Sequence, residues 1–396
     1  MSSEPDWHDW IRRCDTDEDW RRHEFPIARN KVFLAHAAVT TLPRAVAAAM
    51  NAFNEACATD FNGFGDVIRE VNAARQVAAR LIGAGADEIA LLGPTSLGLS
   101  LVARGLPWQS GDEIICYRDD YPANVYPWMQ LEKHGVRTVF LEPTEPGRIT
   151  PELVAAAITP RTRLVALASC HFFTGYRIDI EAIGRLVHDA GALFCLDAIQ
   201  TLGAFPVDVT HVDFLSADAH KWLLGPMAAG VVYVDRRHFD LLEPALIGAW
   251  NVSCPNFITR DRIEFEPGAR RYEPGVLNVS GICGMRAAME MLLGIGIHRV
   301  SERLLDLRSV LEKRLQDLDF EPVVPGGSDW ISGIASYRRE GGRPLEEVAD
   351  ALTAEGVVAS LRHDRSGRAH LRFSPHFYNT VAELDRVVDI LARLVR

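Results

Sequence analysis

No long hydrophobic run occurs anywhere in the 396 residues. A membrane span needs about 18 consecutive apolar residues, so no membrane partner is expected. Residues 1–20 are rich in charge and tryptophan and hold no apolar signal core, which leads us to expect a cytoplasmic protein rather than a secreted one. Cysteine is sparse: the seven are scattered and none forms a Cys-x-x-Cys pair. Reduced thiols fit that pattern better than a disulfide framework or a zinc site, and no metal is expected. An excess of positive charge is also missing. The net charge of -11 argues against binding nucleic acid or an anionic surface. No strand-like run is followed by Gly-x-Gly-x-x-Gly, the turn a nicotinamide dehydrogenase would need. Repeats and low-complexity linkers are absent as well.

What remains is an ordinary globular composition, 48% hydrophobic and 24% charged, in a chain too long for one ordinary core. Short apolar runs at 88–92, 113–117, 137–141, 163–168, 192–196, 214–216 and 230–234 alternate with amphipathic stretches such as 151–157 and 180–190. That alternation predicts an α/β fold, a large and mainly parallel sheet with helices on both faces. After Gly275 the texture changes. A helical stretch over 280–318 leads into a smaller α+β C-terminal domain, with strands expected at 331–337, 357–361 and 370–373 and helices at 345–354 and 381–394. We therefore expect residues 1–30 as a segment packed on the small domain, 31–275 as the large domain and 276–396 as the small one. Ligands of such sheets gather at the C-terminal ends of the strands, and four segments place unusual residues there.

In Asp213-Phe-Leu-Ser-Ala-Asp-Ala-His-Lys221-Trp-Leu-Leu-Gly-Pro, a lysine follows a buried-looking strand. A lysine whose pKa is depressed by its setting forms Schiff bases; a surface lysine is the plainer alternative. In Leu196-Asp197-Ala-Ile-Gln200, an aspartate ends an apolar strand, costly unless compensated. A protonated pyridine nitrogen would compensate it, as pyridoxal 5′-phosphate (PLP) requires of its carboxylate partner, and Gln200 could reach the phenolic oxygen; a helix N-cap is the alternative for Asp197. In Leu92-Gly-Pro-Thr95-Ser96, a turn opens a helix whose free N–H groups and hydroxyls suit a phosphate, although Thr and Ser are ordinary caps too. In Asp119-Asp-Tyr121-Pro, a ring could stack on a pyridine face, or serve as a core or turn tyrosine.

In this order and spacing the four segments resemble the class V aminotransferase family of PLP-dependent enzymes, which includes cysteine desulfurases, selenocysteine lyases and isopenicillin N epimerase-like proteins. The resemblance runs from Phe33-Leu-Ala-His-Ala-Ala to Leu371-Arg-Phe-Ser-Pro-His-Phe-Tyr-Asn379. It implies the PLP-dependent transferase-like fold (fold type I), with PLP as cofactor. It implies Lys221 as the Schiff-base lysine, Asp197 as the pyridinium partner and Gln200 as the O3′ contact. It further implies Thr95, Ser96 and His220 as phosphate contacts, Tyr121 as the stacking residue and Arg372 as the grip on the α-carboxylate of an amino-acid substrate. A homodimer is implied, with the partner's 271–276 region, and Trp250, near the phosphate. His171 and His36 are candidates for touching cofactor or substrate, or are core histidines.

Three departures from the family pattern bear on the reaction. Desulfurases carry a nucleophilic cysteine on a loop shortly before the carboxylate-binding arginine; here that stretch reads Ser360-Leu-Arg-His-Asp-Arg-Ser-Gly-Arg-Ala, and no cysteine follows Cys283. Val276 stands where the family often has threonine. Asp218 stands where many desulfurases have serine, and repulsion of like charges bars it from holding phosphate directly; orienting His220 or capping are the roles expected of it. These features favour a lyase of the β-elimination or C–S cleavage type without a desulfurase cysteine, with aminotransferase or epimerase chemistry as alternatives and a catalytically inactive regulatory protein as a remote one.

Overall fold

The computed structural model describes residues 7–60, 63–326 and 329–395. In chain order its strands are β1 (Val32–Phe33), β2 (Ile89–Ala90), β3 (Glu113–Tyr117), β4 (Arg137–Leu141), β5 (Thr162–Ala168), β6 (Leu193–Asp197), β7 (Phe214–Asp218), β8 (Gly230–Val234), β9 (Glu321–Pro322), β10 (Ala335–Arg338), β11 (Val357–Val358), β12 (Ser360–His363) and β13 (Ala369–Phe373). Seven of them form one sheet in the order β2-β8-β7-β6-β5-β3-β4. Neighbours pair in parallel from β4 through β7, and β8 alone runs against the rest. This is the expected α/β architecture.

Side-chain alternation along each strand divides the core in two. Ile115, Val165, Phe194, Leu196 and Leu215 face one layer, which includes residues of helices Phe64–Ile82, Ile180–Asp189 and Val279–Ile295. Ile114, Cys116, Leu164, Ala166 and Cys195 face the other, with Leu99, Leu101 and Val102 of helix Thr95–Gly105. Covering both faces explains why β6, β7 and β8 are buried along their whole length and read as unbroken apolar runs.

The smaller sheet has the order β12-β13-β10-β9 and is antiparallel. Its core joins Leu371 and Phe373 to Leu307, Leu311, Val348, Leu384 and Val387 of three helices. β1 pairs in parallel with β11. The helical stretch expected over 280–318 is two helices, Val279–Ile295 and Ile297–Gln316, bent by 82°. The break is at Gly296, whose φ of 95° lies where only glycine sits without strain. The first helix packs on the large core, while the second gives Val300 and Leu304 to that core and Leu307, Leu311 and Leu315 to the core of the small sheet.

The described part of the N-terminal segment lies against the chain's C-terminal region. Phe25 stacks on Tyr378 at 4.3 Å, and Arg21 pairs with Glu383 at 2.9 Å. Residues 1–6 of the expected 1–30 segment lie outside the described residues. Among the described residues no single helix is long and apolar enough to cross a membrane.

Candidate active site

Connections that leave the C-terminal ends of β2, β3, β5, β6 and β7 converge on a cavity of about 500 Å³. Residues 37–39, with Arg362 of β12 and Arg372 of β13, complete its wall. Lys221, Asp197, Gln200, Thr95, Ser96, Tyr121, His220 and Arg372 all line this one space.

Lys221 lies three residues beyond β7 and is buried. Burial drives its amine well below the ordinary lysine range, with the Asp197 carboxylate pulling the other way. Its Nζ sits 5.3 Å from the centre of the Tyr121 ring. Asp197, the last residue of β6, is buried and accepts a hydrogen bond from the Ile199 N–H at 3.1 Å. Its carboxyl is pushed up by burial and then by the carboxylate of Asp120. Asp120, itself raised to about 6 by burial, accepts from the Tyr121 N–H at 2.7 Å and the Asn124 amide at 3.0 Å. Gln200 is held from two sides: its amide nitrogen donates to the Ala37 carbonyl at 3.2 Å and its oxygen accepts from Trp222 Nε1 at 2.9 Å. One amide hydrogen is left over.

The phosphate-like corner is built around helix Thr95–Gly105. Gly98 lets this helix press against β7, since a Cβ there would lie 2.4 Å from Ser216 Oγ. The Thr95 hydroxyl accepts from the Asp218 N–H at 2.9 Å, and the Thr95 carbonyl accepts from Ser216 Oγ at 3.1 Å. Asp218 contacts Nδ1 of His220 and accepts from the Ala228 N–H at 3.3 Å. It thus orients the imidazole, one of the roles expected of it.

Arg372 is buried on β13. Its guanidinium donates to the Phe172 carbonyl at 2.6 Å and to Ser360 Oγ at 3.4 Å, and its Nε has no partner. Burial, then the nearby Arg362, lowers its pKa to about 9. No described carboxylate forms an ion pair with it.

The structure does not bring His171 and His36 to the cavity wall. Their sequence neighbours Phe172 and Ala37 line it, while both rings are buried with each nitrogen engaged. His171 meets Thr174 Oγ1 and the Asp119 carbonyl, both at 3.0 Å. His36 meets the Ser374 carbonyl and the Tyr378 hydroxyl, also at 3.0 Å. They are core histidines, and burial lowers the pKa of each. The residues not singled out from the sequence are Arg362 and Phe172, which line the cavity, and Asp120 behind Asp197. The stretch 360–369, where the resemblance puts a loop, is only half connection: β12 runs to His363, residues 364–368 link it to β13, and Ala369 opens β13. Arg362 was thereby hidden in a presumed loop. In the structure it lies two residues from Ser360, which pairs with Arg372, so alternation along β12 puts it on the side of Arg372.

The donor set fits PLP. A buried carboxylate stands ready for a ring N–H, a buried amine for the aldehyde, a spare amide hydrogen for the phenolic oxygen, and a helix N-terminus with Ser96 and His220 for the phosphate. Fold and site together define a fold type I PLP enzyme. The family model for aminotransferase class-V matches residues 32–387, and the chain belongs to that family of PLP-dependent enzymes acting on amino acids. It is 29% identical to a probable cysteine desulfurase of Methanothermobacter thermautotrophicus over 95% of this chain and 98% of that protein. It is 28% identical to the uncharacterized aminotransferase YcbU of Bacillus subtilis, over 94% and 96%. The apo cysteine desulfurase of Thermococcus onnurineus superposes with a TM-score of 0.89 at 25% identity, covering 100% of this chain and 99% of that one.

Proposed function

We propose that this enzyme cleaves a bond at the β-carbon of an amino acid, as a lyase of the β-elimination or C–S cleavage type, without a cysteine nucleophile. The observation that carries this reading is the connection between β12 and β13. The family resemblance puts the desulfurase cysteine on this loop. Here Asp364–Arg368 is a short turn closed on itself, with the Asp364 N–H on the Arg368 carbonyl at 3.0 Å and the Gly367 N–H on the Asp364 carbonyl at 2.9 Å. Arg365 ties it to Asp119. It holds no cysteine, and none lines the cavity.

Bound PLP supplies an electron sink for the bond broken next to the substrate nitrogen. The chain's own residues do the rest. Arg372 would hold the α-carboxylate through a rigid fork and so fix the orientation of the substrate. Asp197 would face the ring nitrogen and keep it protonated. Lys221, with its lowered pKa, would take the α-proton and pass it to the β-substituent, which leaves with the electrons of its bond to the β-carbon as the free thiol while the Cα–Cβ double bond forms; water then turns that product into pyruvate and ammonia. Tyr121 lines the same space and would offer a stacking face, while His220, Ser96 and Thr95 would hold the phosphate.

The likeness to an aminotransferase keeps transamination as the second reading. A homodimer is part of the proposal, supported by exposed apolar residues Met227, Ile247, Phe257, Ile258, Ile263 and Val276 around the region that the resemblance places against the partner. A cytoplasmic location belongs to it too. The test is incubation of the PLP-loaded protein with β-substituted amino acids, sulfur-bearing ones among them. Released thiol with pyruvate and ammonia supports the lyase. A keto acid with conversion of the cofactor to its amine form, and no thiol, overturns it in favour of transamination.

A further inference from the structure

Two guanidinium groups, not one, face the cavity from the small domain, and neither is neutralised. Arg362 and Arg372 both line it. In the β12–β13 register Ser360 lies opposite Arg372 and Arg362 opposite His370. Alternation therefore puts Arg362 and Arg372 on one face as diagonal neighbours, about 7–8 Å apart along the backbone. Arg372 has a carbonyl and a hydroxyl as partners. Arg362 is half-buried and donates to the carbonyl of Leu361 at 2.9 Å. No described carboxylate is in ion-pair contact with either, and Asp119, just beyond the end of β3, is paired with Arg365. Two like charges on one partly dehydrated wall are unfavourable unless a ligand compensates them. One α-carboxylate accounts for one fork.

From this we propose that the substrate carries a second acidic group on its side chain, so that Arg372 takes the α-carboxylate and Arg362 the distal anion. The diagonal spacing, with two long side chains to adjust it, suits an amino acid whose two acidic groups are separated by two or three carbons. The inference rests on the assignment of Arg372 to the α-carboxylate and deepens the proposed function by naming a substrate class.

Succinate tests it apart from the chemistry, because it has both acids and no amine. Calorimetric titration of the PLP-loaded protein with succinate against propionate, and absorbance titration with aspartate against asparagine and alanine, give the selectivity. The wild type should favour the diacid of each set by about tenfold or more, as one charge-assisted contact allows. Arg362→Leu should abolish that preference, Arg362→Lys should restore part of it, and Arg365→Leu, on the same hairpin, should leave it intact. Absence of preference in the wild type overturns the proposal. So does an Arg362→Leu variant that loses aspartate and alanine equally, since both arginines would then hold the α-carboxylate. Failure of the protein to retain PLP at all would instead strike the enzyme reading, and the succinate titration would still report on the two arginines.

Discussion

The two ends of the large sheet treat buried charge in opposite ways. At the N-terminal ends of the strands, Glu113 opens β3 and Asp213 immediately precedes β7. Burial alone would raise the pKa of Glu113, yet hydrogen bonds from Thr159, Arg137 and Arg161 hold it at about 2. Asp213 is likewise held below the usual carboxylate range against burial. It contacts His238 Nε2 at 2.6 Å and His188 Nε2 at 2.9 Å, and accepts from the Phe194 N–H at 2.7 Å. At the C-terminal ends, and on β13 of the smaller sheet where Arg372 faces the same cavity, the shifts reverse. Asp197 and Asp120 are pushed up, Lys221 and Arg372 down, each first by burial. A buried charge that the protein has fully paired serves the fold. One left short of partners beside a cavity waits for a ligand.

That contrast breaks first, if it is wrong, at Asp213. Asp213→Ala strips the partner from two histidines and leaves the Phe194 N–H unpaired, so stability should fall by about 3–5 kcal/mol, read by denaturant unfolding. Activity per folded molecule should be unchanged. Arg372→Leu should do the opposite. kcat/KM should drop by about 3 kcal/mol, roughly a hundredfold, while the unfolding midpoint stays or rises, because an unpaired buried charge has gone. A loss of stability in Arg372→Leu as large as in Asp213→Ala would erase the distinction.

Acid titration sharpens it further. The folded pKa of Glu113 lies below its ordinary 4.5, so its stabilising contribution is present above pH 4.5 and is lost as the pH falls toward about 2. Asp120 has the opposite sign. Its folded pKa of about 6 lies above its ordinary 3.8, so it opposes folding above pH 6, and that cost fades as the pH falls toward 3.8. Glu113→Gln should therefore destabilise the cofactor-free protein at neutral pH and less so near pH 2. Asp120→Asn should stabilise it above pH 6, with the gain vanishing near pH 3.8. Each difference is of the order of 1 kcal/mol. Stability-versus-pH curves of the two variants that move in the same direction would contradict the account.

Much of this site was legible because its residues sit on short stretches just beyond apolar strands. Asp197 ends a buried apolar strand and Lys221, Gln200, Thr95 and Tyr121 follow one closely, and strands of the sheet that run in the same direction bring such ends together. Arg372 was legible only through the resemblance, since nothing near it in sequence marks a ligand. Arg362 escaped because its position depends on the register of two antiparallel strands, which no local pattern states. His36 and His171 misled for a related reason. Each directly precedes a cavity residue, but both sit at tight turns, closed by the Ala38 N–H on the Ala35 carbonyl and the Gly175 N–H on the His171 carbonyl, and both rings are buried with their nitrogens engaged. The break at Gly296 was masked by apolar residues that continue through it, and only the left-handed backbone reveals the 82° bend.

The most direct test of the central claim is the covalent attachment point of the cofactor. Wild-type protein incubated with PLP should show an absorbance band near the visible edge that borohydride removes. Mass spectrometry of the reduced protein should then find a pyridoxyl phosphate group on Lys221. Lys221→Ala should show neither band nor adduct and should have no turnover. An adduct on another lysine of the wild type, or turnover retained by Lys221→Ala, would contradict the assignment of this cavity as the active site.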